Sequence, residues 1–328
     1  LISRGGRTLY RIAQAKLLGR RVPLSIPFVL TYRCNGSCTY CGSPGRSSRG
    51  EMSPAQARKV LGEVLDAGAE RVGFTGGEPL LRPDLGALVK SARNGGALVT
   101  VNSNGLLVER RLEQLEGVNL LLISLDGPAA HHDHLRGPGS FDAACRGIER
   151  ARSAGVPVGI VSTLTRGSDP VGMLDLADQL GAKCLFQPVM SFSFSAPSRV
   201  LRRLWPTRDE MRGFSEALLR EKARGRPVAC SRTFLRFLRD TWPGPFGLRC
   251  AAGSLHCAVS PEGRVAPCNF LLASPRWPSA LELGFRRAFD SLPPFSCRGC
   301  YCPSPLETTF LGRLTPEVIW SLVADRGW

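Results

Sequence analysis

Phe28–Cys41 reads FVLTYRCNGSCTYC. Phe28–Tyr32 is an unbroken run of apolar and β-favouring residues and predicts a buried strand. Polar residues follow at once. Among them Cys34, Cys38 and Cys41 stand in a CxxxCxxC spacing. Three thiolates on one loop can hold three irons of a four-iron cluster and leave the fourth open to a substrate or cofactor. Zinc is the competing metal, but a zinc site recruits a fourth protein ligand and favours CxxC pairs. Thiols that bind no metal are the third option.

The strand-then-helix unit begun at residue 28 recurs to about residue 225. Strands are predicted at 28–32, 71–75, 97–103, 118–125, 156–163 and 183–189. Helices follow at 53–66, 83–93, 108–115, 141–154, 170–180 and 207–223. Ser53 reads as the N-cap of the first, with Pro54 at its first turn. Apolar strands between amphipathic helices indicate a parallel sheet covered by helices. Six units predict an α/β fold, a partial (β/α)6 TIM-like barrel. In such folds the chemistry sits on the loops after the strands. Ser191–Pro206, with Phe192 and Phe194, reads as a loop-like insert that could line a substrate mouth.

The chain has 328 residues, enough for one large domain or one domain with a small appendage. At 43% hydrophobic and 21% charged residues, general disorder is excluded. The densest apolar run, Val118–Leu125, is far short of the ~20 residues that span a bilayer. Residues 1–30 show no apolar core with a small-residue cleavage site, so a cytoplasmic location is expected. The net charge of +16 suggests an anionic partner. The basic residues are almost all scattered arginines without a dense block, which reads as composition rather than as a nucleic-acid face. Residues 7–22 form a basic amphipathic stretch with Leu9, Ile12, Ala13 and Leu17 near one face. It either packs across one end of the main domain or touches a membrane surface peripherally, at the inner membrane.

Twelve cysteines are present, and most of them cluster at 34–41 and 250–302. That is not the spread of a disulfide framework; it reads as metal or iron–sulfur ligation. The second cluster opens CAAGSLHCAVSPEGRVAPC, from Cys250 to Cys268, with a hairpin turn at Pro261–Gly263. It closes on CRGCYC, with Cys297, Cys300 and Cys302. The pairs Cys250/Cys268 and Cys297/Cys300 could complete a four-thiolate site; structural zinc is the alternative. Cys302 could replace Cys300 or be spare. Cys257 alternates with strand residues and reads as a core thiol, though a ligand role stays open. Cys145, Cys184 and Cys230 stand alone and read as core thiols.

With Tyr40 as the aromatic of a CxxxCx(aromatic)C triplet, the sequence resembles the radical S-adenosylmethionine (SAM) superfamily. Further motifs carry the resemblance at successive strand ends: TGGEP at Thr75–Pro79, NSNG at Asn102–Gly105, and SLDG at Ser124–Gly127, followed by Arg136. The resemblance implies that Cys34, Cys38 and Cys41 hold a [4Fe–4S] cluster whose open iron binds SAM. It implies that Gly76, Gly77, Glu78 and Pro79 take the amino group of SAM, the glycines by close backbone approach and Glu78 by its carboxylate. Ser124 and Arg136 would meet its ribose and carboxylate. Asn102, Asn104 and Tyr40 belong to the same site, and Gln187 is a candidate near the adenosine. Asp126 belongs to the SLDG turn and reads as local turn bonding. His131, His132 and His134 read as ordinary loop residues. Glu307 either closes the active site or belongs only to the following helix.

The Cys250–Gly263–Cys268 spacing is similar to the opening of SPASM and twitch auxiliary-cluster domains. Six cysteines after residue 249 are too few for two four-cysteine sites, so one auxiliary [4Fe–4S] cluster is expected. The implied organisation is a basic helical extension at 1–27, a radical SAM core at 28–225, a bridging segment at 226–249 and a twitch/SPASM-like domain at 250–328. The implied activity is one-electron cleavage of SAM to methionine and a 5′-deoxyadenosyl radical, which takes a hydrogen atom from substrate. The reductant would be a flavodoxin or ferredoxin. Peptide or protein modification or dehydrogenation leads; a sugar, aminoglycoside or hopanoid-like lipid substrate is the alternative. A zinc-containing nucleic-acid-binding protein is the competing class, but it leaves the GGEP, NSNG and SLDG motifs unexplained.

Overall fold

The computed structural model describes residues 4–42, 50–190, 198–245, 247–272, 274–293 and 300–323. Phe192, Phe194 and Cys297 lie outside the described residues. The elements, in order, are α1 (Arg4–Leu17), β1 (Ser25–Thr31), α2 (Pro54–Asp66), β2 (Arg71–Gly76), α3 (Leu85–Asn94), β3 (Leu98–Ser103), β4 (Leu120–Ser124), α4 (Ala129–Arg136), α5 (Ser140–Ser153), β5 (Val158–Leu164), α6 (Pro170–Gln179) and β6 (Lys183–Pro188). Then come α7 (Ser198–Leu204), α8 (Arg208–Ala223), α9 (Arg232–Thr241), β7 (Ala258–Val259), β8 (Val265–Ala266), α10 (Ala280–Leu283), α11 (Phe285–Asp290), α12 (Pro303–Gly312) and α13 (Pro316–Val323).

Among the described residues there is one sheet, in the order β6-β5-β4-β3-β2-β1-β7-β8. From β1 to β6 every pair is parallel and spatial order follows chain order, the pattern of a partial (β/α)6 barrel. Phe74, Val101, Ile123 and Phe186 on one face join Val60, Leu61, Leu88 and Ile148 from the helices in a fully buried core. Ser53 caps α2 in a reciprocal capping box with Gln56, and Pro54 opens the helix as expected. The hairpin at Pro261–Gly263 forms β7–β8, and β7 extends the sheet beside β1 through Phe28↔Val259.

Four expectations are corrected. The predicted helix at 108–115 is only turns and a 3₁₀ segment at Leu112–Leu115. α5 approaches this crossover too closely for a helix: a Cβ on Gly147 would lie 2.8 Å from Gly105 O. The histidines after SLDG are helical, in α4, started by Ala129–Ala130 and stopped by Gly137 at φ +107°. The insert before Pro206 contains helix α7. The bridging segment contains α9, capped by Ser231 and buried through Phe234, Leu235 and Leu238; flanking Pro227, Pro243 and Gly244 masked its periodicity.

α1 lies at the strands' N-terminal end, opposite the loops that carry the motifs. Ile12 packs with Val22, Leu24 and Leu255, and the Arg11 guanidinium donates to Gly68 O. Tyr10, Leu17 and Leu18 remain exposed. Among the described residues no helix is long and apolar enough to cross a membrane.

Candidate active site

The loop after β1 starts against the loop after β2. Gly77 N donates to Thr31 O and Glu78 N to Arg33 O, both at 2.8 Å. The glycine pair is required by this contact. Gly76 has φ +153°, and a Cβ on Gly77 would fall 2.1 Å from Arg33 O. The close approach is therefore to the cysteine loop's own backbone. Glu78 is fully buried, and its oxygens accept from Leu80 N (3.1 Å), Ser103 Oγ (3.0 Å) and Asn104 N (2.8 Å). Burial pushes its pKa up to about 7 against these hydrogen bonds. Its carboxylate ties the β2 and β3 loops together through these bonds.

Strand register brings the other candidates to one sheet face. Asn102 pairs with Leu122, Ser124 with Val161 and Thr163 with Gln187. Parallel partners share a face and alternate residues return to it. Asn102, Ser124 and Gln187 therefore line the face opposite the helix-packed Val101, Ile123 and Phe186. Asn102 is exposed there; Ser124 and Gln187 are half-buried. Pro79 is buried in a short 3₁₀ turn behind this face.

The cysteine loop is clamped by α4. Thr39 N donates to Leu135 O at 2.8 Å. Tyr40 OH donates to Asp126 Oδ2 at 2.7 Å. Arg136 straddles the same carboxylate, Nε to Oδ2 at 2.6 Å and Nη2 to Oδ1 at 3.2 Å, while Nη1 reaches Cys38 Sγ at 3.7 Å. Thr163 N donates to Asp126 Oδ1 at 2.8 Å. Burial works to raise the Asp126 pKa, but the Arg136 charge and the accepted hydrogen bonds hold it below the ordinary carboxylate value. Asp126 thus does far more than shape its turn: it anchors residues from three elements.

His132 supports the backbone of Asp126. Its Nδ1 accepts from Asp126 N at 3.1 Å, so that nitrogen carries no proton. Its Nε2 is buried without a partner, and burial pushes the pKa down to about 4. The unfolded chain therefore binds the proton first, and stability from His132 is lost as pH falls from about 6.5 towards 4. We expect the stability margin of wild type over His132→Asn, which keeps an acceptor for Asp126 N, to shrink by about 2 kcal/mol between pH 7 and pH 5. Urea unfolding of both proteins at the two pH values checks this; a constant margin would refute it.

The donor set around the three thiols fits an iron–sulfur cluster. Asn104 Nδ2 lies 3.7 Å from Cys34 Sγ, Gly36 N 3.3 Å from the same sulfur, and Arg136 at Cys38. Such N–H donors to ligand sulfurs are what a cluster's surroundings supply. Burial raises the Cys34 pKa and pushes Cys38 up to about 11, so binding of metal must displace thiol protons. Among the described residues no three side chains are already drawn to the spacing of a single metal ion.

At the second cluster, Cys302 caps α12 and is buried. Burial raises its pKa well above the ordinary thiol value, and Cys300, Cys268 and Cys250 add to the rise. Thr309 Oγ1 donates towards Cys250 Sγ at 3.8 Å and Cys302 N towards Cys300 Sγ at 3.4 Å. Cys257 stands apart in the apolar core, its pKa raised by burial alone. Cys184 and Cys230 are core thiols, and Cys145 is half-buried. Glu307, half-buried on α12, accepts from Ser231 N at 3.2 Å at the start of α9.

Three supporting residues escaped the sequence. Ser103 and Thr163 serve Glu78 and Asp126. Glu51 accepts from Thr31 Oγ1 at 2.7 Å and Tyr32 N at 3.1 Å, at the root of the cysteine loop. Only Ser103, inside NSNG, stood in a motif.

Residues 28–180 match the radical SAM superfamily. Mycofactocin maturase MftC of Mycobacterium ulcerans (strain Agy99) is 31% identical over 266 residues, covering 77% of this chain and 70% of the relative. The AdoMet-dependent heme synthase of Oleidesulfovibrio alaskensis is 28% identical over 272 residues, 75% of this chain and 69% of that protein. The crystal structure of Streptococcus suis SuiB bound to precursor peptide SuiA aligns with TM-score 0.68 at 15% identity, over 86% of this chain and 68% of that one. The chain belongs to the radical SAM superfamily and is an enzyme that uses S-adenosylmethionine and a [4Fe–4S] cluster.

Proposed function

We propose that the chain modifies or dehydrogenates a peptide substrate at the open face of its partial barrel. When bound, SAM and its cluster supply reductive carbon–sulfur cleavage and removal of a hydrogen atom from the substrate. Cys34, Cys38 and Cys41 hold the cluster; Tyr40, Asp126 and Arg136 hold their loop. The backbone of Gly76–Pro79 takes the amino group of SAM, Arg136 lies towards its carboxylate, and Asn102, Asn104, Ser124 and Gln187 line the nucleoside side. The observation that carries this is the convergence of Asn102, Ser124 and Gln187 on the sheet face beside the cysteine loop. The peptide class is supported by the likeness to SuiB, whose structure holds a precursor peptide.

Cys250, Cys268, Cys300 and Cys302 hold one auxiliary [4Fe–4S] cluster, which takes up an electron from the substrate or anchors it. Cys297 remains the alternative fourth ligand. A flavodoxin or ferredoxin delivers the electron. The exposed Tyr10 and Leu17 of α1 and Leu18 just after it, with Arg7, Lys16 and Arg20 beside them, form the surface for any peripheral membrane contact.

The test is release of 5′-deoxyadenosine by anaerobically reconstituted protein given SAM and dithionite. Release by wild type and none by Cys34→Ala/Cys38→Ala/Cys41→Ala is the expected result. Equal release from the triple variant would overturn the assignment. Candidate precursor peptides that accelerate release and gain or lose mass define the substrate.

A further inference from the structure

Arg136 and Asp126 place opposite charges, in a water-poor setting, directly behind a cluster ligand. The Asp126 side chain is 0% exposed and that of Arg136 11%. Two guanidinium nitrogens are committed to the carboxylate, and Nη1 is left facing Cys38 Sγ at 3.7 Å. Tyr40, two residues beyond Cys38, fixes the carboxylate with its hydroxyl and lies under the guanidinium, 5.5 Å from ring centre to Cζ. At the first cysteine the facing side-chain donor is the neutral amide of Asn104. The charge balance at Cys38 is therefore set by one ion pair of fixed geometry.

We propose that the Asp126–Arg136 pair sets the reduction potential of the cluster held by Cys34, Cys38 and Cys41, with Asp126 and Tyr40 as positioning residues. This rests on the cluster assignment made above. Reduction adds one electron to the cluster, supplied by the external reductant. A cation whose N–H points at a ligand sulfur favours the reduced form, and the carboxylate behind it offsets that effect. Removing the two charges must therefore act in opposite directions. Loosened packing would move both variants the same way.

The loaded chain is titrated potentiometrically without SAM and followed by electron paramagnetic resonance. The relevant signal is identified in wild type as the one that changes when SAM is added and that Cys38→Ala removes. Asp126→Asn is expected to raise its midpoint and Arg136→Met to lower it. Each shift corresponds to at least a tenfold change in the reduction equilibrium, about 59 mV for one electron. The double variant, electrically balanced, is expected to return towards wild type. Arg136→Gln, which keeps an N–H donor without the charge, repeats the fall if Arg136→Met yields no protein. Midpoints unchanged in both single variants, or shifted with the same sign, overturn the proposal. A loaded wild type with no SAM-responsive signal overturns instead the cluster assignment beneath it.

Discussion

Gly77→Ala is expected to prevent the cysteine loop from forming. The added methyl would sit 2.1 Å from Arg33 O and 2.7 Å from Tyr32 O, both backbone atoms. Neither can retreat without breaking the 2.8 Å bonds from Gly77 N to Thr31 O and Glu78 N to Arg33 O. Those bonds set the root of the segment that carries Cys34. The loss combines overpacking with freed buried backbone groups, so at least about 3 kcal/mol is expected. Gly62→Ala is the control: it lies within α2 and its Cβ would meet nothing within 4 Å. That change should be neutral or stabilising by up to about 1 kcal/mol. Urea unfolding and iron content of both variants decide the matter. Wild-type values for Gly77→Ala would show that the two loops are not locked together.

Cys302→Ala should leave one iron of the auxiliary site without its protein ligand. The thiol is buried at the start of α12, and Cys250, Cys268 and Cys300 act on its pKa. Alanine keeps the small apolar volume there, so the fold should tolerate it, whereas the iron that Cys302 holds loses its protein ligand. Iron is expected to fall by at least about one atom per chain, with the SAM-responsive signal retained. Cys145→Ala, on α5 and away from both clusters, should change neither quantity. If Cys302→Ala keeps its full iron complement while Cys297→Ala loses it, Cys297 takes the fourth place and Cys302 is a core thiol.

The barrel was legible because its strands are short, apolar and separated by well-marked helix starts such as Ser53–Pro54. The motifs TGGEP, NSNG and SLDG were legible as chemistry because each falls at a strand end. What they do to one another was not. Nothing local in the sequence shows that Glu78 is consumed by Ser103 and Asn104, or that Asp126 gathers Tyr40, Arg136 and Thr163. Such pairings depend on register across three strands, which a one-residue slip would abolish. Helices α7 and α9 were hidden for a different reason. Their apolar faces are short and lie among prolines and glycines that signal turns. The 108–115 segment failed in the opposite sense: its periodicity was helical, but Gly147 let α5 come too near.

The parallel seam between β1 and β7 has a mechanical meaning. The strand that launches Cys34 is bonded on one side to β2 and on the other to the hairpin that ends at Cys268. Ser25↔His256 and the bonds from Leu24 N to Leu255 O and Val22 N to Ser254 O lengthen the same seam. Among the described residues this route is a continuous run of paired strands. Cys34 and Cys268 follow strands of one bonded plate, and parting them would mean tearing its middle rather than flexing a joint. Metals bound beside these two thiols would share that plate as a common support.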